Sequence, residues 1–190
     1  EPLVLLHGGF GNLTDFNGII NGLSNQFMFI GIDLRGHGMS SLGQSSLTYH
    51  QHQADVDAVL SHLGIGAFSV LGFSDGGVTA LRMAAEPNSR VKALVVVAGH
   101  SRMDPESSGF KIVSKVTPDF WIEKFPDTVD YYTSNNPEPD FEALAKAVVS
   151  LWTKRESSGY PGSAVRQISA PTLIVRGDED PFFSLKDAAE

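Results

Sequence analysis

The sequence predicts an α/β fold in which a mostly parallel sheet is flanked by helices. Short apolar runs alternate with helical patterns along the chain, which is the order expected of a parallel sheet. Each run is continuous and does not alternate apolar with polar residues, which is typical of strands covered on both faces. The predicted strands are Leu3–Leu6, Phe27–Ile32, Phe68–Leu71, Ala93–Ala98 and Thr172–Val175.

Two helices are predicted between these strands. Apolar residues recur at helical spacing from Val56 to Leu63, which indicates an amphipathic helix from about Thr48 to Leu63. A second helix runs from Gly76 to about Glu86 and ends before the next proline. The first helix carries three histidines that we expect to be solvated: His50, His52 and His62.

The composition indicates one soluble globular domain and disfavours several classes of function. The chain has 190 residues, of which 42% are hydrophobic, enough to form a buried core. Its 14 basic and 22 acidic residues give a net charge of −8, so we expect no nucleic-acid partner. No apolar run approaches the roughly 18 residues of a membrane span, so no membrane partner is expected.

The residue types present also argue against a bound metal or an organic cofactor. The chain has no cysteine, which excludes disulfides, thiolate metal sites and a cysteine nucleophile. No cluster of His, Asp and Glu has the spacing of metal ligands, so neither a metal nor an organic cofactor is expected. The residues shown contain no leader pattern, and we expect a cytoplasmic protein.

The alternation of strands and helices breaks between Gly99 and Ile168. These residues contain many aromatic side chains and two candidate helices, around Pro118–Phe125 and Asp140–Trp152. A connection of about 70 residues is too long for an unstructured loop in a compact domain. We therefore predict a core over residues 1–99, a helical cap segment over residues 100–167, and the core continued, incomplete, over residues 168–190.

The sharpest motif is the G-x-S-x-G segment Gly72-Phe73-Ser74-Asp75-Gly76. It lies directly after a predicted strand and directly before a predicted helix, which is the context that this motif requires. The serine must occupy a strained turn, and the two glycines remove side chains that would clash there. The helix N-terminus behind it favours developing negative charge. The motif predicts that Ser74 is a nucleophile.

A glycine-rich turn, His7-Gly8-Gly9-Phe10, follows the first predicted strand. A backbone N–H of such a turn can complement the N–H of the residue after the nucleophile, here Asp75, to form an oxyanion hole. Gly9 is the first choice for this donor and Phe10 the second. His7 is interpreted as a structural hydrogen-bonding residue of the turn.

The turn after the second strand, Asp33–Ser40, is interpreted as scaffold. Its charges and glycines suit a rigid turn in which Asp33 and Arg35 satisfy each other or nearby backbone groups. His37 is expected to be structural.

The last predicted strand is followed by three acids, Asp178, Glu179 and Asp180, and then by Pro181. A carboxylate at the end of a strand downstream of the serine fits the chain order Ser…Asp…His of one hydrolase architecture, in which it orients a histidine. Asp180 is favoured because the following proline fixes the turn.

These four segments, in this order and spacing, resemble the α/β-hydrolase fold superfamily. The resemblance implies Ser74 as nucleophile, Asp180 as catalytic acid and a helical cap. The elbow is most similar to the biphenyl hydrolase-like (valacyclovir hydrolase) group, which cleaves esters of α-amino acids. That similarity implies that Asp75 receives a substrate ammonium; alternatively, Asp75 is a carboxylate favoured by the helix dipole.

One feature departs from the superfamily pattern, in which the catalytic histidine follows the acid. Residues 181–190 contain no histidine. His100, at the end of a predicted strand, is expected to line the cleft and not to act as the base. We therefore expect that both ends are truncated and that the catalytic histidine lies outside this sequence.

The expected function is a serine hydrolase, a carboxylesterase of class EC 3.1.1, acting on a small-molecule ester or related acyl compound. The expected substrate-binding residues lie in the turns and the cap segment: Phe10, Phe73, Asp75, His100 and Trp121. The same fold also serves C–C bond hydrolases, lactonases and cofactor-free peroxidases. A further alternative is a non-catalytic binding or signalling protein that lacks the histidine.

Overall fold

The computed structural model describes residues 1–23 and 25–189. A single parallel sheet has the strand order β2-β1-β3-β4-β5. The strands are β1 Pro2–Leu6, β2 Met28–Ile32, β3 Phe68–Phe73, β4 Val91–Val97 and β5 Thr172–Val175. Each predicted strand is confirmed, within two residues at either end. In the register of β1, Leu6 is paired with both Ile32 and Gly72. The turns that follow β1, β2 and β3 therefore meet at the carboxyl end of the parallel strands.

Eight α-helices and two short 3-10 helices, Leu13–Phe16 and Gly162–Gln167, are present among the described residues. The α-helices are α1 Asn17–Leu23, α2 Tyr49–His62, α3 Asp75–Ala84, α4 Ser108–Val113, α5 Pro118–Lys124, α6 Pro126–Asn135, α7 Phe141–Thr153 and α8 Leu185–Ala189. The two helices predicted between the strands are confirmed as α2 and α3, and the two candidate helices of the cap segment as α5 and α7. Thr48 caps α2, its hydroxyl oxygen accepting from the Gln51 N–H at 3.0 Å.

Helices α1, α4 and α6 were not predicted from the sequence. Helices α1 and α4 span only 7 and 6 residues, too short for an amphipathic repeat to emerge. Helix α6 begins at Pro126, two residues after the end of α5, and Phe125 between them caps both helices. A proline is well tolerated at the first position of a helix, so here it marks a start and not an end.

Burial differs across the sheet, and the prediction that every strand is covered on both faces is wrong for β5. Leu3–Leu6 of β1 are all buried, whereas all four residues of β5 are exposed, Leu173 by 57%. Strand β5 lies at the edge of the sheet and pairs with β4. Helix α3 packs on β1, β3 and β4, so the covered part of the sheet is its centre.

The expectation of three solvated histidines on α2 is wrong for His52. His50 and His62 are exposed, but His52 is fully buried. Its ring lies 6.2 Å from that of Tyr49 and 6.5 Å from that of His37. The i, i+4 spacing to the buried Val56 places His52 on the inner face of the helix.

The cap segment packs over the carboxyl end of the strands, where the turns meet. One hydrophobic cluster combines residues before β4, including Phe10, Tyr49 and Val78, with residues of α4, α6 and α7, including Leu144 and Trp152. The cap segment therefore shares its hydrophobic core with α2, α3 and the turn after β1. The division of the chain at residues 99/100 and 167/168 stays a prediction. Within the described ranges, no helix has the length and apolar character needed to cross a bilayer.

Candidate active site

Ser74 lies between the end of β3 and the start of α3, with φ 51° and ψ −114°. A positive φ is costly for a residue with a side chain, by about 1–3 kcal/mol, and such residues concentrate at functional sites. The N–H of Ser74 donates to the carbonyl of Val97 on β4 at 2.8 Å. The strained conformation is therefore held by the adjacent strand, and Ser74 itself is only partly buried.

The two glycines around the serine are required by backbone packing, as the sequence analysis predicted. A Cβ at Gly72 would collide with the carbonyl of Gly76, and a Cβ at Gly76 would collide with the carbonyl of Leu6. Helix α3 therefore starts in direct contact with β1. The close approach brings the turn after β1 next to Ser74.

His7 holds the turn after β1 to the turn after β2. Its Nε2 accepts from the Leu34 N–H at 2.9 Å and its Nδ1 donates to the Gly8 carbonyl at 2.7 Å. Burial lowers the pKa of His7 to about 4, so the ring is neutral and both nitrogens are used in the scaffold. His7 therefore has the structural role that was predicted.

Gly9 and Phe10 lie against the elbow and the cap segment. A Cβ at Gly9 would lie 2.7 Å from Oδ2 of Asp75 and 2.8 Å from Cζ2 of Trp152, so the Gly9 backbone touches both residues. Phe10 has φ 62° and is 4% exposed. The structure thus brings the Gly9 turn to Asp75, while the assignment of their N–H groups as oxyanion donors stays a prediction.

The Asp75 carboxylate is enclosed among aromatic side chains. The residue is 3% exposed, and its carboxylate accepts from the Tyr49 hydroxyl at 2.7 Å and from Nε1 of Trp152 at 2.9 Å. Burial raises the pKa of Asp75 to about 6, against the lowering effect of these two hydrogen bonds. A carboxylate that is covered and already bound by two donors is not open to a substrate ammonium, so the geometry does not support that interpretation.

Three aromatic residues near Asp75 were not predicted to belong to the site: Tyr49, Trp152 and Tyr160. The Tyr160 hydroxyl lies 3.5 Å from that of Tyr49 and donates to the Trp152 carbonyl at 3.3 Å. All three side chains stand outside any motif. Their residue types alone indicate core packing, and only their positions in space reveal the network.

The turn after β2 is part of the scaffold. Of the two predicted arrangements, Asp33 adopts the one with backbone partners, and the ion pair between Asp33 and Arg35 does not form. Asp33 accepts from the backbone N–H groups of Leu13 at 2.7 Å and Met39 at 2.9 Å. Arg35 does not pair with Asp33; it forms a two-pronged ion pair with Asp55 of α2, with both N–O distances 2.7 Å. Buried His37 contributes to the same turn through Nδ1 and the Arg35 carbonyl at 3.0 Å.

Asp180 is the most firmly held of the three acids after β5. Its Oδ1 accepts from the N–H groups of Phe182 at 2.9 Å and Phe183 at 3.1 Å. Asp178 and Glu179 are exposed, whereas Asp180 is partly buried. The structure therefore agrees with the preference for Asp180 as a fixed carboxylate, and its catalytic role stays a prediction.

The remaining predicted substrate-binding residues take different positions. His100 stacks on Tyr160 with ring centroids 5.4 Å apart and also packs on Phe183 at 5.6 Å. Trp121 packs on the ring of Phe10 at 4.2 Å, and Phe73 is 44% exposed.

The aromatic side chains of the cap segment mostly fill space against each other. They leave a cavity of about 230 Å³ beside Trp152 and Tyr160. Its lining also includes four charged residues: Arg102, Lys154, Arg155 and Glu156. Among the described residues no group of three or more His, Asp or Glu side chains could hold a metal ion.

Comparison with known proteins identifies the family. A family described as alpha/beta hydrolase fold matches residues 1–158. The chain belongs to this family. Its suspected similarity to the biphenyl hydrolase-like group is not tested by the match.

Several curated relatives resemble the chain over nearly its whole length. An AB hydrolase superfamily protein of Bacillus subtilis is 29% identical over 98% of this chain and 78% of its own length. An esterase of Mycobacterium tuberculosis is 28% identical over 99% of this chain and 70% of its own. A shorter match at 33% identity covers 58% of this chain and 38% of a Haemophilus influenzae protein.

Solved structures of low identity share the fold. The structure of NosK from Streptomyces actuosus has a TM-score of 0.78 and 20% identity, covering 99% of this chain and 80% of that chain. An alpha/beta hydrolase enzyme from a deep-sea metagenome library has a TM-score of 0.76 and 20% identity, covering 100% of this chain and 75% of that one.

Proposed function

We propose that this chain carries the nucleophile and the acid of a serine hydrolase of class EC 3.1.1, which cleaves a small carboxylic ester or related acyl compound. The observation that carries the proposal is the backbone of Ser74, held at φ 51° between β3 and α3 by glycines that no other residue can replace without collision. Relatives named as esterases in Mycobacterium tuberculosis and Legionella pneumophila support ester substrates.

In the proposed reaction, the Oγ of Ser74 attacks the ester carbonyl while a histidine takes its proton. The N–H groups of Gly9 and Asp75 stabilise the oxyanion, and the protonated histidine then gives its proton to the leaving alcohol. Water, activated by the same histidine, hydrolyses the acyl-enzyme and restores Ser74. Asp180 orients the histidine and stabilises its charged form.

The proposed base is a histidine other than His7, His37, His52 and His100. His7 and His37 are buried in the scaffold, where burial lowers the pKa of His7 to about 4 and that of His37 to about 3. His52 is buried among them, and His100 is packed between Tyr160 and Phe183. These positions argue against a base among the four.

The test is labelling of the intact protein with a fluorophosphonate, followed by mass spectrometry of the modified peptide. This probe reacts with a serine that a base has already activated. We expect labelling at Ser74, abolished in Ser74→Ala. A folded protein that is not labelled would contradict the proposal and favour a non-catalytic binding or signalling protein.

A substrate panel then tests the reaction class. Simple p-nitrophenyl esters are expected to be cleaved faster than lactones or dienoic diketones. Preferred turnover of a diketone would replace the esterase proposal by C–C bond hydrolysis at the same serine.

A further inference from the structure

Four elements meet at the carboxylate of Asp75. Asp75 is the first residue of α3, Tyr49 is the first residue of α2, and Trp152 lies in the last turn of α7. The fourth element is the turn after β1, which packs so closely that a Cβ at Gly9 would collide with Oδ2 of Asp75 and with the ring of Trp152. Residues that are 26 and 77 positions from Asp75 along the chain thus converge on one side chain.

The two donors on Asp75 are themselves buried. Tyr49 is fully buried and Trp152 is 9% exposed. A buried donor without an acceptor costs about 1–3 kcal/mol, so each donor holds its helix in the place where the carboxylate can be reached. Within residues 1–23 and 25–189, the hydrogen-bond partners of the carboxylate are these two side chains.

We propose that Asp75 is a positioning residue, whose carboxylate binds Tyr49 of α2 and Trp152 of α7 and thereby fixes the Gly9 turn against the nucleophile elbow. The inference rests on the proposed function, because the turn matters to catalysis only if it supplies an oxyanion donor. Oxyanion stabilisation depends on donors that are placed before the reaction begins. Loosening either helix contact therefore lowers kcat more than it weakens substrate binding.

The groups that face Asp75 are neutral at the pH of a hydrolase assay. Desolvation raises the pKa of Tyr49 well above its usual value and also raises that of Tyr160, which touches Tyr49. Trp152 carries no charge. Trp152 also lines a cavity with Arg102, Lys154, Arg155 and Glu156. A fluorescence change near pH 6 that is lost in Asp75→Asn would therefore report Asp75, whose pKa burial raises to about 6.

The experiment compares Tyr49→Phe, Trp152→Phe and Asp75→Asn with a matched control, Tyr132→Phe. The control also removes a buried hydroxyl from the same hydrophobic cluster, one that accepts from the Asp140 N–H at 2.9 Å and does not touch Asp75. We expect Tyr49→Phe and Trp152→Phe each to lower kcat for a neutral p-nitrophenyl ester about tenfold with KM changed less than about threefold. Tyr132→Phe is expected to stay within about twofold of the wild type.

Two further readouts keep the inference testable if one variant folds poorly. The double variant Tyr49→Phe/Trp152→Phe is expected to lose less than the product of the single losses, because both donors act through one carboxylate. Tryptophan fluorescence of the wild type is expected to change with a midpoint near pH 6, and the change is expected to disappear in Asp75→Asn.

Three results would overturn the inference. Wild-type kcat in both Tyr49→Phe and Asp75→Asn, with activity still lost in Ser74→Ala, would remove the positioning role and leave the proposed function intact. Selective loss of α-aminoacyl esters in Asp75→Asn, with neutral esters unaffected, would assign Asp75 to the substrate ammonium instead. Turnover that survives Ser74→Ala would overturn the proposed function and this inference together.

Discussion

The two halves of the candidate site are built in different ways. Around Ser74, glycines at 72 and 76 allow contacts that no side chain would permit, and the neighbouring Asp75 is 3% exposed. Around Asp180, strand β5 is exposed along its whole length and the carboxylate is held by two N–H groups of its own turn. The nucleophile is therefore fixed by backbone contacts between distant elements, whereas the Asp180 carboxylate is held by N–H groups of its own turn, and that turn packs on the rest of the chain through buried Phe183.

Removal of the nucleophile gives the largest expected effect on the first half. Ser74→Ala is expected to lower kcat/KM for a p-nitrophenyl ester by about 10⁴-fold or more, because no other group in the elbow replaces the hydroxyl. Circular dichroism is expected to be unchanged. The control is Ser114→Ala, an exposed serine in the cap segment, which is expected to keep full activity. Equal activity of the two variants would exclude Ser74 as the nucleophile.

Asp180→Asn gives the corresponding effect on the second half. We expect kcat to fall by about 10²–10⁴-fold, because an amide cannot stabilise the charged histidine, while urea unfolding changes little at this half-exposed turn. Glu179→Gln, at the neighbouring exposed acid, is expected to behave as the wild type. If Asp178→Asn instead showed the larger loss, Asp178 and not Asp180 would be the acid.

Glycine substitutions test the difference in packing between the halves directly. Gly76→Ala is expected to lower the free energy of unfolding by about 3 kcal/mol or more, since its Cβ would collide with the Leu6 carbonyl. Gly177→Ala, in the turn after β5, meets no atom within 4 Å and is expected to change it by less than about 0.5 kcal/mol. Similar costs at the two glycines, measured by urea denaturation, would contradict the comparison.

The buried carboxylate makes stability depend on pH in the nucleophile half. Burial raises the pKa of Asp75 from its ordinary value of 3.8 to about 6 in the folded chain, so the folded state binds the proton more tightly. The free energy of unfolding therefore falls as pH rises between these values, by at most about 3 kcal/mol. Asp75→Asn is expected to abolish this fall, and Asp119→Asn, at an exposed position of α5, to leave it unchanged in urea unfolding at pH 4.5 and 7.

The buried histidines act in the opposite direction. Burial lowers the pKa of His52 well below 6.5, so the unfolded chain binds this proton more tightly and acid destabilises the fold. The expected cost at pH 5.5 is on the order of 1 kcal/mol. His52→Leu is expected to remove that share of the acid sensitivity, whereas His62→Leu, on the exposed face of α2, is not. Thermal unfolding between pH 5 and 7 distinguishes the two variants.

Patterns of local origin were predictable from the sequence, and features set by packing were not. The strands and helices α2, α3 and α7 have runs or repeats long enough to detect. Helices α1 and α4 do not, and their positions depend on the elements around them. The burial of His52 was missed because its residue type suggests a solvated side chain, although its i, i+4 spacing to Val56 places it on the buried face of α2.

The sequence by itself determined the order of the strands and motifs along the chain and the position of the elbow. A serine between glycines, placed between a strand and a helix, locates the elbow in the sequence, but contacts with β1 and β4 hold its backbone conformation. Only the tertiary structure decided where the Asp75 carboxylate points. Its partners Tyr49 and Trp152 lie on separate helices, and contacts between distant residues exist only once the hydrophobic faces of those helices have packed together.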